Sequence, residues 1–172
     1  MFFASSAFVI IHVLISLVGI GTGLFVLYGL LKNEPMPRLT SIFLGFTLAT
    51  SLTGFLFPFH KVTPGIVVGV VSCIILAVAY VALYRFRLEG IWRQGYLASA
   101  IAALWLNCFV FVAQAFQKVS FLHALAPNGN EPPFGIVQLL VLGGFVYAGY
   151  LAMKRFHPGI MTVVAGATRK AA

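Results

Sequence analysis

Charge is scarce along this 172-residue chain, and acidic charge is scarcest. Only 8% of the residues are Asp, Glu, Lys or Arg, and three of them, Glu34, Glu89 and Glu131, are acidic. Soluble domains carry about 25% charged residues. With 61% hydrophobic residues and a mean hydropathy of +1.04, water is excluded as the main solvent. No long apolar segment holds an Asp, Glu, Lys or Arg at its centre. That removes the carboxylate relay of a proton-coupled pump and the arginine ladder of a voltage sensor. HExxH and CxxC are missing as well, so a zinc hydrolase has no spaced ligand cluster to build on. The two cysteines, Cys73 and Cys108, lie inside apolar segments and read as small packing residues rather than as a disulfide or metal ligands.

What is present is a set of long apolar runs. Five are long enough to cross about 30 Å of hydrocarbon at about 1.5 Å per residue: Ala7 to Leu31, Leu39 to Phe59, Pro64 to Tyr84, Gln94 to Phe116 and Phe134 to Met153. Pro35, Pro37, Pro64, Pro132 and Pro133 stand in or beside the connections, where helices stop or start. The expected fold is all-α: one membrane domain over residues 1–172, a bundle of about five transmembrane helices, with 157–172 as a tail. The first run has no basic flank before it and exceeds the usual signal-peptide core, so it reads as a permanent span.

Net charge is +8, from 11 Lys+Arg. The basic residues sit singly or in small groups at span ends rather than on one face with interleaved aromatics, which argues against nucleic acid and for a bilayer as partner. With the amino terminus outside and the carboxyl terminus inside, the inner side holds Lys32, Arg38, Arg85, Arg87, Arg93, Lys154, Arg155, Arg169 and Lys170, and the outer side only Lys61 and Lys118. This is the bias that orients membrane proteins. Tyr80, Tyr84, Trp92 and Tyr96 fall near the inner boundary as interfacial anchors.

Helices associate in lipid by close packing of small residues. The third span carries Gly65, Gly69, Cys73 and Ala77 at intervals of four, which predicts that this span is central. Gly19 with Gly23, Gly45 with Ala49, and Gly144 with Ala148 extend the expectation to the first, second and fifth spans. Between the fourth and fifth, Val119–Leu125 predicts a short interfacial helix, followed by the turn-rich APNGNEPPFG.

The polar groups within the spans are few. His12 shares a face of the first span with Ser16, Gly19 and Gly23, while Asn107, Gln114 and Lys118 share one of the fourth at about 100° per residue. Gln138 adds an amide near the outer end of the fifth. His12, Asn107, Gln114 and Gln138 are therefore candidate ligand-binding residues in the outer half of the membrane, with His60, Lys118, His123 and Glu131 as outer-loop candidates. Such a pocket would take a small lipophilic ring, quinone-like or haem; haem would need a second histidine from His60 or His123 opposite His12. The competing reading has the same groups bonding one another and the backbone to fasten helices. No catalytic residue and no metal site is assigned.

The runs TSLTGFLFPF, beginning at Thr50, LWLNCFVFVAQAFQKV and APNGNEPPFG resemble an uncharacterised family of small bacterial multi-spanning membrane proteins. The resemblance covers most of the chain from the second span onward. It implies a bacterial cytoplasmic membrane and brings no activity, ligand or cofactor. The first functional expectation is a non-enzymatic structural or accessory component of a membrane complex, with a membrane-protein partner or a second copy. The outward-facing binding or redox protein is the alternative. A small-solute transporter is a third reading, weakened by the missing buried charge and missing repeat.

Overall fold

The computed structural model describes residues 6–57, 63–129 and 131–158. Among these, all regular structure is helical: α1 (Ser6–Lys32), α2 (Pro37–Gly54), α3 (Pro64–Tyr80) continued by a π-type turn (Val81–Arg85), α4 (Ile91–Lys118), α5 (Ser120–Leu125) and α6 (Pro132–Arg155). Among the described residues, four helices are long and apolar enough to cross a membrane: α1, α3 with its π turn, α4 and α6. The second expected span is the shorter α2, whose 18 residues include six Ser or Thr.

Local chemistry sets the ends. Proline opens α2, α3 and α6, where its missing N–H leaves no helical bond unmade. At α3 the Thr63 hydroxyl also accepts from the Ile66 N–H at 3.4 Å, an N-terminal cap. α1 closes with Asn33 at φ 60°, Glu34 N–H donating to Gly29 O at 2.8 Å and Asn33 N–H to Leu30 O at 3.4 Å. This bond pair is the Schellman closure, and asparagine tolerates its left-handed position. A β-carbon on Gly29 would stand 2.7 Å from the Glu34 carbonyl oxygen, so the turn also requires a glycine there.

The turn sends α2 back along α1. Gly23 faces Phe43, Gly19 faces Thr47 and His12 reaches Thr53, a register in which one number falls as the other rises. α4 pairs with α6 in the same antiparallel sense: Arg93 meets Met153 and Phe156, Ile101 meets Gly149, and Phe116 meets Phe134. The ends of α1, α3 and α6 thus gather with the starts of α2 and α4. Arg93 donates to the carbonyls of Met153 and Phe156 at 3.1 and 2.7 Å, the His157 N–H donates to Asn33 Oδ1 at 2.8 Å, and the Ser41 and Tyr84 hydroxyls lie 3.0 Å apart. Lys32, Arg38, Arg85, Arg87, Arg93, Lys154 and Arg155 all belong to this basic end, whereas Lys118 stands at the other.

The central helix is α4, not the third span. α4 buries Tyr96, Leu97, Ala100, Ile101, Ala103, Leu104, Leu106 and Phe116 and packs against α1, α2, α3 and α6. On α3 the buried face is Ser72, Leu76 and Ala79, while Gly65 and Ala77 of the glycine stripe are exposed. Gly69 is tight against the Phe55 ring, 2.9 Å from where a β-carbon would sit. The expectation for the first span holds, since Gly19 and Gly23 are both buried. Gly45 and Gly144, by contrast, have open space where a β-carbon would be. A short helix, α5, stands where one was expected at Val119–Leu125, with Phe121 72% exposed.

Candidate functional site

Each candidate polar residue in the spans takes its position from the helix that carries it, and three of the four find partners on a neighbouring helix. His12 Nδ1 lies 2.8 Å from the Thr53 hydroxyl, which itself donates to Ala49 O at 2.7 Å. With that proton committed to the carbonyl, the histidine Nδ1–H is the donor. The ring also meets Phe57 edge to face at 5.1 Å. Asn107 Nδ2 donates to the Thr47 hydroxyl at 3.2 Å, beside Gly19, where a β-carbon would stand 3.4 Å from Thr47 Oγ1 and 3.6 Å from Asn107 Nδ2. Gln138 Nε2 donates to the Phe109 carbonyl at 3.0 Å and joins α6 to α4. Gln114 is exposed.

These groups do not converge on one space. Asn107 looks toward α1 and α2 with Leu104, which lies against Gly23. Phe116, which meets Phe134 of α6, is nine residues from Asn107, or about two and a half turns at ~3.6 residues per turn. The α6 contact is therefore on the far side of α4. His12 and Asn107 work at the α1, α2 and α4 junction, and Gln138 at a separate α4–α6 seam. Of the four residues expected to share a pocket, His12, Asn107 and Gln138 form three separate helix clasps and Gln114 is an exposed amide.

The outer-loop candidates are dispersed. Lys118 and His123 are exposed, and Glu131 Oε1 accepts from the backbone and side-chain nitrogens of Asn128 at 3.0 and 2.7 Å, which fixes the turn before α6. His60 lies outside the described residues. Among the described residues, no three His, Cys, Asp or Glu side chains gather as a metal cluster would require.

Two features of the bundle have no clear signature in the sequence. Gln138 Oε1 and Trp105 Nε1 are buried without a hydrogen-bond partner; a partnerless atom leaves no sequence pattern. The second is a junction of hydroxyls at the basic end, where Ser41 meets Tyr84, Tyr84 stacks on Tyr80 at 5.7 Å, and buried Tyr96 lies beside Thr40. Its tyrosines were legible as interfacial anchors, but their meeting with α2 was not, because it depends on how α2 is seated. Comparison with known proteins supplies no relative: no family model matches the chain, and no curated protein or solved structure matches it.

Proposed function

We propose that the chain crosses the bacterial cytoplasmic membrane five times, amino terminus outside and carboxyl terminus inside, and serves as a non-enzymatic structural or accessory component of a membrane complex. The observation that carries this reading is the use of its polar span residues: His12, Asn107 and Gln138 are engaged in fastening helix to helix. With these three committed to clasps, the polar groups best placed to meet a substrate serve packing instead.

Support for the fifth crossing comes from α2. Its pairing with α1 runs from Met36 beside Gly29 to Phe57 beside Phe8. That is 21 residues of α1, about 32 Å at ~1.5 Å per residue, the thickness of a hydrocarbon core. Support for the orientation comes from the collected basic end, which the inner side would hold. The partner would be another membrane protein or a further copy of the chain. Purification from native membranes in mild detergent tests the reading. The expected result is a particle heavier than one 18.6 kDa chain with its detergent; a chain that always runs alone would contradict it.

A further inference from the structure

An open groove of about 520 Å³ runs along the surface of α2 beside α1, lined by Ile15, Ser41, Ile42, Gly45, Phe46 and Ala49. Its walls are apolar apart from Ser41, which marks one end. At that end the Ser41 hydroxyl donates to the Pro37 carbonyl at 3.0 Å and accepts from the Tyr84 hydroxyl at 3.0 Å. Arg38 is exposed one turn before Ile42, and Arg85 follows Tyr84. Arg38, Ile42, Gly45 and Ala49 are separated by four, three and four residues and so share one face of the helix. From Arg38 to Ala49 that face is about 16 Å long at ~1.5 Å per residue, close to half of a ~30 Å hydrocarbon core.

We propose that this groove is the seat of one anionic phospholipid in the leaflet at the basic end. The acyl chain lies along Ile42, Gly45 and Ala49 against Ile15, and the phosphate is held by Arg38. The charge decides the occupant: an exposed cation at one end of a single-leaflet apolar groove complements a phosphodiester on a hydrocarbon tail. A helix of a second copy would match the apolar walls but leave that end without an anion, and the chain has only three acidic residues to supply one. The inference rests on the membrane reading above.

Native mass spectrometry from mild detergent, with added dioleoyl phosphatidylglycerol or dioleoyl phosphatidylethanolamine, tests it. The wild-type chain should retain one phosphatidylglycerol under activation that strips the zwitterionic lipid. Gly45→Leu projects into open space, so it should fill the groove and abolish retention while leaving the melting temperature unchanged. Gly144→Leu, equally open on α6, should retain the lipid as the wild type does. Arg38→Gln should lower the preference for phosphatidylglycerol about fivefold. Undiminished retention in both Gly45→Leu and Arg38→Gln would overturn the proposal, as would a wild-type dimer that Gly45→Leu dissolves. If the lipid is not retained but the protein survives an alkaline wash of native membranes, the seat alone is wrong. Release by that wash would sink the membrane reading itself.

Discussion

Gly23 is where the packing of three helices is least forgiving. A β-carbon there would fall 2.5 Å from Leu104 Cδ1 and 2.8 Å from Phe43 Cδ2, and both neighbours are fully buried. Gly23→Ala should therefore cost about 1–3 kcal/mol through overpacking. Gly144→Ala meets nothing and should be neutral, or stabilising by up to ~1 kcal/mol from helix propensity. Denaturation in mixed detergent micelles compares the two; equal stability would refute the α1–α2–α4 contact. The Asn107 clasp makes a second prediction. A double-mutant cycle of Asn107→Ala with Thr47→Ala should give a coupling of about 0.6 kcal/mol, ordinary for such bonds in membranes, and a coupling of zero would mean that the amide points elsewhere. The face carrying His12, Ser16, Gly19 and Gly23 was legible from spacing alone. The identity of the helix it meets was not, because periodicity reports a face and never its partner.

Among the elements, α4 holds the bundle together and α6 is fastened to it at both ends of their seam, by Phe116 on Phe134 and by Arg93 on the last carbonyls of α6. Those carbonyls have no helical partner of their own, so Arg93→Ala should loosen the last turn of α6. Hydrogen exchange should quicken around 153–157 and stay unchanged in the middle of α6; exchange that does not respond would remove the capping role. The same comparison of elements explains why the third span looked central. In water an apolar stripe marks the core, but lipid tails are as apolar as leucine, so burial against protein and exposure to lipid leave the same signature. Gly65 and Ala77 kept perfect spacing yet are exposed, with only Gly69 between them tight against the Phe55 ring, while Ser72, Leu76 and Ala79 of the same helix are its buried residues. The limits of α2 were blurred for a related reason: its threonines and serines lower its hydropathy, yet Thr47 and Ser51 are buried.

Over the whole molecule the legible signal was charge. Water and headgroups tolerate cations and hydrocarbon does not, so basic residues can stand only at span ends, and alternate connections sort them to alternate ends. The grouping of Lys32, Arg38, Arg85, Arg87, Arg93, Lys154 and Arg155 at one end of the bundle follows from that rule and from the antiparallel pairing of neighbours. The lipid groove was not legible, since it needs the seating of α2 on α1 as well as the spacing of Arg38, Gly45 and Ala49. The central claim, a five-span bundle with its basic end inside, depends most on whether α2 crosses. Side-specific reporter fusions placed at Asn33 and Thr63, on either side of α2, measure that directly, with Gly90 and Asn128 as controls for the later helices. The account predicts inner signals at Asn33 and Gly90 and outer signals at Thr63 and Asn128; Thr63 reporting from the same side as Asn33 would contradict it.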